Sequence, residues 1–196
     1  MKLTILIILA LNIVLNAQIK TNLEIVDSLL GVSVSEINSL KIDKNLSFKF
    51  EFNSPQEYSA MSNSVIEKLQ NVGFILNSEE NSNSEILNYS IKNIFVEYPE
   101  MFRDGIFGEY LVNRKIKVEG SFYFSSNGIL GKVEKFDYNF SDTLALSGLN
   151  SVQNIAYGFT SPEIPSEPFF SSLIEPTIAI GTAAVAVYLF FNVRSK

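Results

Sequence analysis

Residues 45–76 read NLSFKFEFNSPQEYSAMSNSVIEKLQNVGFIL. Leu46, Phe48, Phe50 and Phe52 alternate with Ser47, Lys49 and Glu51, a period of two that marks a strand with one buried face. Ser54-Pro55-Gln56-Glu57 then carries a helix-start pattern: Ser54 as N-cap, Pro55 at the first helical position, and Glu57 reaching back in a capping box. Tyr58, Met61, Val65, Leu69 and Val72 follow at helical spacing and form one apolar stripe, with Gly73 where a C′ residue belongs. A half-buried strand followed by an amphipathic helix predicts a helix lying on a sheet.

Working outward, Leu23, Ile25, Val26, Leu29 and Leu30 predict a helix over about 21–30, extending toward Val34, Ile37 and Leu40. Phe74 to Leu76 reads as a short strand, and 77–84 (NSEENSNS) as a polar loop. Leu87, Tyr89 and Ile91 alternate; the apolar phase then shifts to Ile94, Val96 and Tyr98 across Lys92-Asn93, as a β-bulge requires. Ile116, Val118, Gly120, Phe122 and Phe124 continue as a long strand whose other face carries Lys115, Lys117 and Glu119. A Ser-Ser-Asn-Gly turn follows, and a partner strand is predicted over about 132–140, with Phe136, Tyr138 and Phe140 in phase. Residues 142–157 are apolar enough for a closing helix. The expected fold is therefore α+β, with an antiparallel sheet of about four strands, two or three helices packed on one face, and one C-terminal transmembrane helix.

Both ends carry apolar segments. Lys2 precedes an apolar run from Leu3 to Val14, and Leu15-Asn16-Ala17 offers a signal-peptide cleavage point, giving a signal segment over 1–17. The folded domain is expected over 18–157, and a linker containing Pro162, Pro165 and Pro168 over 158–175. Residues 176–193 are charge-free, and Arg194 and Lys196 predict a cytoplasmic tail over 194–196, which agrees with an exported domain. The run 177–193 covers only about 25 Å, a short span. Ile178, Ala179, Gly181, Ala183, Val187, Tyr188, Leu189 and Phe190 are its candidate anchor residues. Its small residues, Ala179, Gly181 and Ala183 among them, would let two helices approach closely, one route to a homo-oligomer.

The chain has no Cys, no His and no Trp. Thiol nucleophiles, disulfides, zinc sites built on Cys or His, and His-based triads are thereby excluded, and no cysteine follows the expected cleavage point to be acylated. Between Gln18 and Ser172 stand 12 basic and 20 acidic residues, and so acidic a domain repels phosphate backbones and makes nucleic acid an unsuitable partner. Glu97, Glu100, Asp104 and Glu109 match no metal loop and read as solvated charge. No phosphate loop or nucleophile elbow occurs, so neither a cofactor nor an enzymatic activity is expected. Residues 98–110 (YPEMFRDGIFGEY) hold Met101, Phe102, Ile106 and Phe107. These form an apolar partner-binding patch if exposed, or a cover over the open end of the core if folded back.

The order of strand, helix and sheet, with the hairpin between KIKVEGSFYFSSNGILGKVEKFDYNF strands, resembles small bacterial envelope modules: LptE-type lipopolysaccharide-assembly lipoproteins and TolB N-terminal or FlgO-like domains. The resemblance spans residues 46–140. The tail YLFFNVRSK resembles C-terminal anchors of uncharacterised bacterial envelope proteins. That resemblance carries no activity with it. The two apolar ends and the missing catalytic chemistry lead us to expect a periplasmic module tethered to the cell membrane and acting on an envelope protein partner. The density of Phe in the strands gives the alternative, an apolar or lipid-like ligand between helix and sheet.

Overall fold

The computed structural model describes residues 19–40, 42–43, 45–77, 85–105, 108–166 and 171–193. The expected signal segment and cytoplasmic tail lie outside them.

Helix α1 (Asn22–Ser39) opens the fold. Thr21 caps it: its hydroxyl accepts from the Glu24 amide at 3.2 Å, and the Glu24 carboxylate accepts from the Thr21 amide at 2.7 Å. These bonds, the backbone one foremost, hold the Glu24 carboxyl below its usual range. Ile25, Val26, Leu30, Val34 and Ile37 form its buried stripe, so the helix runs through Gly31 well past residue 30. Strand β1 (Ser47–Phe52) places Phe48 in the core with Phe50 and Phe52 packed against it. Helix α2 (Met61–Asn71) follows and buries Met61, Val65 and Leu69.

The start of α2 corrects the expected capping box. Pro55 precedes a 3-10 turn (Gln56–Tyr58), and neither it nor α2 has a side-chain cap. Ser54 serves the sheet instead, its hydroxyl accepting the Ile91 amide at 2.9 Å beside the bulge. At the other end of α2 the glycine reading holds. Gly73 has φ +95°, its amide bonds the Gln70 carbonyl at 2.9 Å, and the Phe74 amide bonds Leu69 at 3.0 Å, which is a Schellman closure.

Strands β2 (Ile75–Asn77), β3 (Glu85–Glu97), β4 (Met101–Arg103), β5 (Tyr110–Ser126), β6 (Ile129–Leu130) and β7 (Glu134–Ala145) complete one seven-stranded sheet in the order β2-β1-β3-β5-β4, with β6 and β7 also on β5. The sheet is mixed, where an antiparallel one of about four strands was expected: β1 lies parallel to both β2 and β3. The reason is α2, which returns the chain to the end where β1 began, so that β2 must run in the same direction. β3 and β5 pair antiparallel with the register shift at Ile91/Asn93 that the hydrophobic pattern predicts. Ser126 pairs with Ile129 across Asn127 (φ +50°) and Gly128 (φ +77°), a two-residue type I′ hairpin.

The closing helix over 142–157 is also corrected. β7 continues to Ala145, a four-residue helix α3 (Leu149–Val152) follows, and a last helix α4 (Ser171–Val193) ends the described chain. Leu144, Leu149 and Val152 are buried with Tyr98, Met101 and Val112 in a second core, and that burial selects strand and short helix over one long helix.

Asp142 explains the extra length of β7. It faces Arg114 across the sheet, and Arg114 is fully buried. The guanidinium donates to both Asp142 oxygens at 2.7 and 2.5 Å, to the Lys20 carbonyl at 2.8 Å and to the Asn22 side-chain oxygen at 3.0 Å, with the Phe140 ring 5.7 Å away. The Asn22 amide donates onward to the Tyr98 hydroxyl at 2.9 Å and the Thr160 carbonyl at 2.7 Å. Thr160 is itself buried, and Phe159 packs edge-on against Tyr58, so 158–160 folds onto the domain.

Between the helices and the sheet, Tyr89 stacks on Phe52 at 6.2 Å, touches Phe136 at 5.5 Å and shares a 2.6 Å hydrogen bond with Ser33. Gly120 lies opposite Ile91 because a Cβ there would stand 2.3 Å from the Phe136 ring and 2.3 Å from the Ser90 carbonyl. The opposite face of the sheet is open and carries ion pairs, Lys49 with Glu51 and Lys117 with Glu119 and Asp137.

Three outcomes follow for urea denaturation. Gly120→Ala should destabilise by about 2–3 kcal/mol through overpacking. Asp142→Ala should cost about 3 kcal/mol by leaving Arg114 charged and buried, and the double variant Arg114→Met/Asp142→Leu should regain most of it. Burial pushes the Tyr89 hydroxyl well above the usual phenol range. Its neutral form is thus favoured in the fold, so its stability contribution is complete below pH ~10 and declines as pH rises beyond it. Tyr89→Phe should flatten that alkaline decline.

Candidate functional site

Four places carry what a binding function needs. The first is the segment 98–110, which the structure divides. Met101 and Tyr98 are buried in the second core, because β4 pairs with β5 from Met101↔Val112 to Arg103↔Tyr110 and folds the segment back. Phe102 points the other way and is 39% exposed. Arg103 stiffens the turn, its Nε donating to the Gly108 carbonyl at 2.9 Å and its guanidinium lying 5.2 Å from the Tyr110 ring centre. Ile106 and Phe107 lie outside the described residues. Among the described residues of the segment, Met101 covers the core and Phe102 points outward, and strand alternation separates the two side chains.

The second is α4. Ile178, Ile180, Val185, Val187, Tyr188, Leu189, Phe190 and Phe191 are all exposed, and so are Ala179, Gly181 and Ala183. Every side chain described from Pro176 to Asn192 faces outward from the domain. Apolar residues surround the helix on all sides, so it presents no polar face to water. Among the described residues, however, no helix is long and apolar enough to cross a membrane. Of the expected transmembrane helix the structure shows an exposed apolar helix, not a span. The charge-free run from Pro176 to Val193 rises about 27 Å beside a hydrocarbon core of about 30 Å.

The third is a groove of about 360 Å³ where α1 ends, lined by Leu40, Ile42, Leu46, Phe48, Phe122 and Phe124 and rimmed by Glu85, Lys132 and Glu134. Beside it the β5–β7 hairpin carries Ile129 at 75%, Leu130 at 70% and Val133 at 50% exposure. Sequence reading missed this pole because residues 129–133 look like an ordinary turn; the signal is an apolar pair directly after Asn127-Gly128, where a hairpin tip is normally polar. Deeper in, the space between helices and sheet is filled by Phe48, Tyr89, Phe122 and Phe136.

The fourth is the Arg114 cluster, which groups a guanidinium, a carboxylate, an amide and a phenol. Its members bond to one another and to backbone carbonyls, an arrangement that cross-links the fold. Among the described residues no group of three or more acidic side chains is placed to hold a metal ion.

No protein-family model matches the chain. No curated protein matches it either. Among solved structures it is similar to rare lipoprotein B from Shewanella oneidensis, with 11% identity, a TM-score of 0.35, and 70% of this chain and 98% of that one covered. It is likewise similar to a minor lipoprotein from Acinetobacter baumannii, with 10% identity, a TM-score of 0.35, and 69% and 93% covered. Likeness at this level assigns neither a family nor a function.

Proposed function

We propose that this chain is a non-catalytic interaction module of the bacterial envelope, held at a membrane by α4, with the α+β domain presented to a protein partner on the extracytoplasmic side. The observation that carries the reading is the exposure of α4. Burying a large apolar side chain is worth about 1.5–3 kcal/mol, so eight of them, each about half exposed, withhold on the order of 10 kcal/mol until the helix meets an apolar medium. A helix apolar on all sides suits insertion better than lying flat in the interface, which calls for a strongly polar face. Insertion of so short a run relies on local bilayer thinning, and the single-pass form with a cytoplasmic C-terminus follows from Arg194 and Lys196. The acidic domain, net −8 between Gln18 and Ser172, stays clear of an anionic lipid surface, which leaves its apolar tip at Ile129 and Leu130 free for protein contact.

The rival reading, an apolar ligand between helix and sheet, is supported by the groove at Leu40, Leu46 and Phe124 and is confined to that pole, because the interior is packed. Native mass spectrometry of the gently purified chain would show a retained lipid-sized mass under this reading and none under the first.

The membrane reading is tested by fractionating cells that express the C-terminally tagged chain and washing the membranes with carbonate. Wild type should stay with the membrane, and external protease should leave a short protected tail. Leu189→Arg/Val187→Arg should release most of the protein. Recovery of the wild type in the soluble fraction would sink the reading.

A further inference from the structure

We infer that the free edge of β7 is a pairing site for a second copy of this chain, so that two seven-stranded sheets join through an antiparallel β7–β7 ladder. β7 is twelve residues long and, among the described residues, pairs only with β5, in an unbroken register from Leu111↔Ala145 to Phe122↔Glu134. The other outer strands, β2 and β4, have three residues each, too few to template a partner. In an antiparallel ladder each residue directs its N–H and C=O to the same side, and the sides alternate, so half of β7 presents both groups outward. No described side chain or loop bonds to them.

Two of the usual guards of such an edge are missing. β7 contains no proline and no bulge. Its inward-pointing charge, Asp142, would normally deter a newcomer but is consumed by Arg114. The outward-facing side chains of β7, Lys135, Asp137, Asn139, Ser141 and Thr143, are all exposed.

The strand is also complementary to itself. A two-fold axis perpendicular to the sheet at Asn139 overlaps residues 134–144 of both copies. It sets Lys135 opposite Thr143 of the second copy, Asp137 opposite Ser141 and Tyr138 opposite Phe140, and no like charges meet. Moving the axis to Tyr138 brings Glu134 against Asp142, which disfavours that register. The Asn139-centred pairing supplies about ten backbone hydrogen bonds, the number found in an interface of standard size. Residues with outward backbone groups face residues with outward backbone groups, as the symmetry demands.

The test is sedimentation of the full-length chain in mild detergent over a concentration series, with Ser141→Asp, Asn139→Lys and Ala183→Leu beside wild type. Wild type should be dimeric. Ser141→Asp, which sets two aspartate pairs face to face, should raise the dimer dissociation constant about tenfold, and Asn139→Lys should weaken it as well. Both changes are at exposed positions, so far-ultraviolet circular dichroism should be unchanged. Ala183→Leu should leave the dimer intact. A monomeric wild type overturns the inference, as does a dimer that Ala183→Leu dissociates and Ser141→Asp does not. Membrane attachment is read separately by fractionation, so failure of one result leaves the other standing.

Discussion

The buried guanidinium of Arg114 is the constraint around which the domain is arranged. It sits on the central strand with no access to water, and a buried charge is tolerated only when paired and hydrogen-bonded. Its partners come from widely separated parts of the chain: Lys20 and Asn22 before and within α1, Asp142 on β7, and through Asn22 also Tyr98 and Thr160. To satisfy one side chain, the start of the first helix, two strands, the connection after β3 and the segment after α3 must meet at one pole. The apolar core then fills the space that these attachments define.

The opposite pole is built on different physics. About 40 Å along β5, at the far end of the hairpin, no ion pair is buried; aromatic packing of Phe48 with Phe74 and Phe124 closes the layer and leaves a groove. The molecule is cross-linked by polar contacts at one end and apolar at the other, where Ile129, Leu130 and Val133 stand exposed.

Much of this was legible in the sequence wherever a local pattern and its burial agree. The alternation of Phe48, Phe50 and Phe52, the stripe from Met61 to Leu69, the Gly73 closure, the phase shift at Lys92 and the Asn127-Gly128 turn each depend on near neighbours, and each stands in the structure. What was not legible depends on distant ones. Ser54 looks like a helix cap until Ile91 arrives to claim its hydroxyl. Residues 142–145 look helical until Arg114 and Val112 fix them as strand. The parallel pairing of β1 with β3 has no local signature, and neither has the burial of Met101 beside an outward Phe102. The candidate surfaces followed the same rule: the apolar helix was visible in composition alone, whereas the groove exists only where α1, β1 and β5 converge.

One consequence concerns force. The Asn22–Thr160 bond joins positions 138 residues apart, just before the chain leaves the domain toward α4. Tension applied through the C-terminal segment therefore reaches the Asn22–Thr160 bond and, through Asn22, the Arg114 cluster. A domain tugged from that end keeps its far pole undistorted, and whatever that pole holds would not feel the pull until the cluster gives way.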